Sequence, residues 1–147
     1  MRTVMILIVL ILAAVIGAAV FFRVVAMPAT VWHLEPADVT PPTSPNFELL
    51  VGAEAPVIGA DAAVVGARLD AVAQAEGARL IAGAPADGHM TYVVRSRIMG
   101  FPDAVSIRLV PLADGTRVEV FSRSRYGYSD MGVNAARVAR WIAAARQ

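Results

Sequence analysis

The stretch VSIRLVPLADGTRVEVFSRS, residues 105–124, decides the fold. Its two halves, 105–111 and 116–124, alternate apolar and polar residues with the period of a β-strand. Between them Ala113-Asp114-Gly115 carries the turn chemistry that closes an antiparallel hairpin. Working outward, 79–83 and 91–98 read as two more strands. Upstream of these, Asp61 can cap a helix running to Glu76, with Ala62, Val65, Leu69 and Val72 on one face and Gly77 as the stop. Downstream, the spacing predicts a last helix over 133–145 that buries Val138, Trp141, Ile142 and Ala145. The order helix, about four strands, helix gives an α+β domain of two layers, an antiparallel sheet with helices on one face.

Strand parity then sorts the charges. Tyr92, Val94 and Ile98 share one side of their strand and Arg95 and Arg97 the other. Ile107 and Leu109 oppose Arg108, and Val118 and Val120 oppose Arg117, Glu119, Phe121 and Arg123. With the apolar sides turned to the helices, Arg95, Arg97, Arg108, Arg117 and Arg123 collect on the opposite sheet face. Two readings of that face stand side by side. It is a solvated outer surface with acids interleaved, or a site for an oxyanion such as phosphate, a lipid headgroup or an acidic glycan, whose oxygens arginine forks match.

The chain begins with twenty consecutive uncharged, mostly apolar residues, Thr3 to Phe22, bracketed by Arg2 and Arg23. A helix of that length spans roughly 30 Å, the hydrocarbon thickness of a bilayer. The run is longer than the apolar core of a secretory signal, and the one tolerable cleavage pattern, Val24-Val25-Ala26, lies beyond Arg23. The expectation is an uncleaved anchor over 1–24 in contact with the bilayer through 3–22, in the inner, cytoplasmic membrane. Its positive N-terminus stays cytoplasmic and the rest of the chain is extracytoplasmic. Prolines at 28, 36, 41, 42, 45 and 56 exclude a long helix or a central strand, so 25–60 reads as a stalk. Val31, Trp32, Phe47, Leu49 and Leu50 make it too apolar for a purely solvated linker, which predicts partial packing on a domain at 61–147.

The chain has no cysteine, which excludes disulfides, and all thirteen of its basic residues are arginine. The formal charge of +1 conceals an asymmetry: residues 1–90 carry four Arg against eight acids, and 91–147 nine Arg against four. A basic C-terminal half suggests an anionic contact surface such as an anionic lipid or envelope component. For a domain beyond a membrane, nucleic acid is not the expected partner.

One motif stands out: Ser122-Arg-Ser-Arg-Tyr-Gly-Tyr-Ser-Asp-Met-Gly-Val-Asn134, with Arg137 after it. It reads as a strand end, a glycine-punctuated turn and a helix start. Gly127 and Gly132 permit left-handed backbone angles. Ser129 or Asp130 can accept from the helix's free N–H groups, and Arg125 can pair with Asp130 across the turn. Caps, turn glycines and one ion pair account for nearly every residue, beside the alternative of a functional site. The pattern resembles the C-terminal signature of the domain-of-unknown-function family numbered 1499, found in bacterial envelope proteins and plastid-targeted relatives. Ser122, Ser124, Arg125, Gly127, Ser129, Asp130, Gly132, Asn134 and Arg137 match it, while Phe121 stands where the family usually has Arg. Upstream, Gly100-Phe101-Pro102-Asp103 resembles its Phe-x-Asp-Asp stretch, with Ala104 in place of the second acid. The segment from Pro41 to Phe47 resembles its Cys-Pro-x-Ser-Pro-Asn-Cys. The joint loss of both cysteines implies that the family's pair bond to each other and that no thiol mechanism operates here. The resemblance covers about residues 38–146 and implies a family, an envelope setting and a fold, but no activity.

For catalysis the inventory is thin. His33 and His89 are isolated in sequence, no metal-ligand spacing or phosphate-binding glycine loop is present, and Ser129-Asp130 has no base nearby. Neither a cofactor nor a metal is expected. The reading is a membrane-anchored, extracytoplasmic binding module, with a hydrolase-like enzyme using Asp103 and Asp130 as a carboxylate pair as the alternative.

Overall fold

Six antiparallel strands make one sheet in the computed structural model of the chain, which describes residues 1–147. In chain order they are β1 (Phe47–Leu50), β2 (Val57–Ile58), β3 (Arg79–Ala84), β4 (His89–Arg95), β5 (Pro102–Leu112) and β6 (Gly115–Ser124). The spatial order is β1-β6-β5-β4-β3, with β2 also pairing with β6. The hairpin of β5 and β6 lies at the centre, with Leu112 opposite Gly115 and Asp103 opposite Ser124. Gly115 has φ 145°, and the carbonyl of Ile58 in β2 leaves no room there for a Cβ.

Helices α3 (Ala62–Ala75) and α4 (Val133–Ala145) cover one face. Val65 and Leu69 of α3 and Val138, Trp141 and Ile142 of α4 meet Tyr92, Val105, Ile107, Val118 and Val120 in a single core. Each of these aliphatic side chains contributes about 1.5–3 kcal/mol by leaving water. Trp141 meets Tyr92 edge to face with ring centroids 5.8 Å apart, and its Nε1 donates to Glu76 at 3.0 Å. The predicted start and end of α4 and its buried stripe are those observed. Helix α3 ends as expected at Gly77 (φ 78°), where the N–H of Ala78 reaches the carbonyl of Ala73 at 2.9 Å. Asp61 precedes α3 but makes no side-chain capping bond.

The stalk differs most from expectation. Two of the six strands, β1 and β2, come from it, both on the outer edge of β6 where strand-terminating prolines are tolerated. Residues 27–36, including the one-turn helix α2 (Ala29–Trp32), cross the sheet face opposite α3 and α4 as a strap. Met27 is buried against Val93 and Ala104, with Trp32 packed beside them. Strand β4 ends at Arg95, not at residue 98: the chain turns at 96–100, with the N–H of Gly100 bonded to the carbonyl of Ser96. Arg97 therefore lies in a turn rather than on the sheet face, and Ile98 is exposed rather than in the core.

The chain opens with α1 (Arg2–Val24), which buries none of its residues and is long and apolar enough to cross a membrane. Its last turn meets the domain. Phe22 packs on Phe101 and Tyr126, with centroids 4.3 and 5.1 Å away.

Candidate functional site

The motif residues converge at one end of the sheet. Parity turns Asp103 to the same side as Val105, and Ser122 and Ser124 to the same side as Val120, so all three lie on the helix face beneath the first turn of α4. Gly127 (φ 89°), Met131 (φ 53°) and Gly132 (φ 79°) swing the chain from β6 into α4. Asp130 accepts from the backbone N–H of Asn134 at 2.8 Å and of Gly132 at 3.0 Å, and so caps the helix as expected. Burial acts to raise its pKa, but the bonds from Asn134 and Gly132 outweigh it and hold the carboxyl below its ordinary value. Ser129 accepts from the N–H of Met131 at 3.2 Å.

Asn134 is the hub. Its Nδ2 donates to Asp130 at 2.7 Å and to Ser124 at 3.0 Å, while its Oδ1 accepts from Ser122 at 2.5 Å and from Arg137 at 2.8 Å. Arg137 then donates to Asp103 Oδ2 at 2.7 Å, an ion pair with both side chains nearly buried. Arg125 does not pair with Asp130; it donates to the carbonyl of Ala26 beyond α1. Asn46, not singled out beforehand, ties the stalk in: its Nδ2 donates to the carbonyl of Gly127 at 2.6 Å, and its own carbonyl accepts from the N–H of Ser124 at 3.0 Å. The signal that could have found it is the Ser-Pro-Asn of the resembling segment.

Asp103 and Asp130 line one cavity of about 380 Å³, together with Ser96, Ser124, Ser129, Phe101, Tyr126 and Met131. The two carboxylates of the enzyme alternative thus do share a concavity. Asp103 is nonetheless committed to Arg137, and the bonds from Asn134 and Gly132 hold Asp130 below its ordinary value. Carboxylate-pair hydrolysis needs one acid and one base, and here Asp130 is held as an acceptor while Asp103 is bonded to a cation. Neither histidine lines the cavity. Contrary to their isolation in sequence, His33 and His89 stack at 3.9 Å on the strap side, and Arg108 both donates to His89 at 3.1 Å and pairs with Glu35.

Arg95, Arg108, Arg117 and Arg123 do occupy the face away from the helices, but the strap and the segment before it engage Arg95, Arg108 and Arg123, and Arg117 lies against Glu119 of its own strand. Arg123 is buried, donating to the carbonyls of Trp32 and Phe121 and to Ser106, between the rings of Trp32 and Phe121. Burial with no counterion pushes its guanidinium down to about 10. Arg117 Nε lies 3.1 Å from Glu119 Oε1 but off the hydrogen-bonding direction, so the contact is a charge pair without a hydrogen bond.

Arg95 does something else. It donates to the carbonyls of Phe22 and, at 2.8 Å, Val25, while Arg23 reaches back to Ala19 at 3.1 Å and across to the carbonyl of Ile98 at 2.6 Å. Carbonyls left over at the end of α1 thereby gain charged donors, the favourable sign for a helix C-terminus. Beside them Arg23, Arg79 and Arg95 line a cavity of about 370 Å³ that has no acidic side chain. Arg95 is held below the usual guanidinium value first by burial and then by the positive charge of Arg79 and Arg125. Arg79 is exposed and enters no ion pair. Arg23 and Arg79 lie outside the expected arginine set; the pairing of β3 with β4 sets Arg79 beside Arg95, and the docking of α1 on the sheet edge brings Arg23 to both.

No curated protein and no solved structure matches the chain. One family does match, over residues 35–144, a span that runs from the strap through α4 and contains the whole Asp103–Asn134–Arg137 network. The chain belongs to the family described as protein of unknown function, DUF1499.

Proposed function

We propose that this is a membrane-tethered binding module whose ligand is an anionic headgroup, received by Arg23, Arg79 and Arg95 where α1 leaves the inner membrane on its extracytoplasmic side. The observation that carries the reading is the cavity of about 370 Å³ lined by three arginines and no acid. Arg95 there is held down by burial and then by the positive charge of Arg79 and Arg125, so an oxyanion in the cavity relieves that repulsion and gains the fork of the exposed Arg79. The anionic-ligand expectation attached to the outer sheet face moves with it, since Arg108 is paired with Glu35 and Arg123 is buried under the strap, whereas Arg79 is exposed and in no ion pair. The enzyme alternative has the shared cavity of Asp103 and Asp130 in its favour and against it the commitment of Asp103 to Arg137 and of Asp130 to the cap of α4.

The test uses the full chain in neutral detergent with short-chain phosphatidylglycerol, short-chain phosphatidylcholine or inorganic phosphate as titrant. Phosphatidylglycerol should bind, phosphatidylcholine should bind at least ~5-fold more weakly, and affinity should fall as salt rises, given about 1 kcal/mol per basic residue near a membrane surface. Arg79→Glu, a change at an exposed side chain, should weaken binding ~10-fold and leave the melting temperature in place. Binding by inorganic phosphate alone would make the ligand a free anion rather than a lipid. Salt-insensitive binding, or an unchanged affinity in Arg79→Glu, would overturn the reading.

A further inference from the structure

Downstream of α1, the three most exposed large apolar side chains are Met131 at 93%, Ile98 at 85% and Tyr128 at 75%. All three fall in two turns, 96–101 between β4 and β5 and 125–132 between β6 and α4, at the same end of the sheet. Single exposed apolar residues need no explanation, but three at one end of a small domain do.

The same two turns grip the end of α1. Phe101 of the first and Tyr126 of the second both pack on Phe22. Arg23 donates to the carbonyls of Arg97 and Ile98 at 3.1 and 2.6 Å, and Gly100, with φ 79°, has the Arg23 side chain where a Cβ would stand. Phe21 and Phe22 close the apolar run, so in a spanning helix they sit where acyl chains meet headgroups. Whatever touches Phe22 shares that depth.

We infer that the turns 96–101 and 125–132 insert Ile98, Tyr128 and Met131 into the interfacial layer of the bilayer that holds α1. Aromatic rings at Phe22, Phe101, Tyr126 and Tyr128 form the belt favoured at that depth. Arg97 and Arg125 lie in the same turns, with side chains long enough to keep their charge at the phosphate level. The partner is the lipid surface, because the exposed side chains are continuous with the membrane helix itself. Two consequences follow for the domain. It does not swing freely on its tether, and the cavity between the turns, lined by Phe101, Asp103, Tyr126 and Asp130, opens toward the bilayer.

The inference rests on α1 spanning a bilayer, as the proposed function does, and not on the arginine cavity. The absence of cysteine makes the test clean. Ile98→Cys, Met131→Cys and Asp114→Cys are each labelled with an environment-sensitive fluorophore in the full chain, reconstituted in phosphatidylglycerol–phosphatidylcholine vesicles. Asp114 is the control, at the far end of β5, about 35 Å away by strand rise. Labels at 98 and 131 should emit to the blue of the label at 114 and be quenched several-fold more by lipids carrying a nitroxide near the headgroup. Equal emission and quenching at all three positions would overturn the inference. So would a blue shift at 98 and 131 without lipid quenching, which would indicate that the turns dock a second protein copy. Release of the chain by alkaline carbonate would remove the spanning helix and both proposals together. A chain that resists carbonate but shows water-exposed turns removes only this one.

Discussion

Arg123 and Arg137 are both buried, 4% and 5% exposed, on opposite sides of the sheet. Their partners differ in kind. Arg137, on the buried side of α4, has a carboxylate at 2.7 Å and a shared amide oxygen from Asn134. Arg123, under the strap, has two carbonyls, a hydroxyl and two aromatic faces, and no acid. Dipoles and rings offset the loss of hydration only in part, which is why the Arg123 guanidinium falls to about 10 while remaining charged at neutral pH. At these two buried arginines, then, the helix side is held by matched charge and the strap side by a cation clasping backbone. Removing a partner should hurt far more on the first side than removing the cation does on the second.

The largest expected effect is at Asp103. Asp103→Ala leaves the Arg137 charge buried without its carboxylate and should cost about 3–5 kcal/mol in chemical denaturation. A cost below ~1 kcal/mol would mean that Asn134 and Ser122 suffice for Arg137 and would erase the contrast. Next is Asp130→Ala, which removes the cap on α4 and one bond to Asn134; about 1–2 kcal/mol is expected from thermal melts. Arg123→Met keeps apolar volume between Trp32 and Phe121 while deleting an unmatched charge, and should cost less than ~1 kcal/mol. A cost as large as that at Asp103 would show that the clasp, not the ion pair, is the stronger of the two.

The smallest effect is a pH dependence confined to the strap. His33 is held below its usual pKa of 6.5 by burial, then by His89 and Arg108. A histidine depressed in the folded state favours folding when neutral. Its contribution is thus fully present above 6.5, the unfolded value, and is lost as pH falls through the lower folded value. Melting temperature should decline as pH drops below 6.5, and His33→Gln should flatten that decline. An identical slope in the variant would put the acid sensitivity elsewhere, with Glu35 and Asp130, both depressed, the groups expected to follow at lower pH.

The hairpin 105–124 and helix 133–145 were legible because each carries its own period and its own stop: alternation with a glycine turn in one, a stripe ending in Trp141, Ile142 and Ala145 in the other. Strands β1 and β2 were not legible. Four residues, Phe47–Leu50, and two, Val57–Ile58, are too short for a period to emerge among prolines, and both become strands by pairing with the free edge of β6. The extension of β4 to residue 98 failed because alternation continues through Arg97 and Ile98 even though the chain has turned.

The sequence by itself determined the apolar helix, the α+β class, the outward parity of Arg95, Arg108, Arg117 and Arg123, and the capping role of Asp130. These follow from interactions between residues near one another in the chain. Only the tertiary structure decided what the outward face meets. A strap some seventy to ninety residues upstream supplies a carbonyl for Arg123 and the carboxylate for Arg108, and a helix from the very start of the chain brings Arg23 to Arg79 and Arg95. Parity tells which way a side chain points. What waits there is a matter of which distant segment finds the surface worth covering, and local pattern carries no record of that.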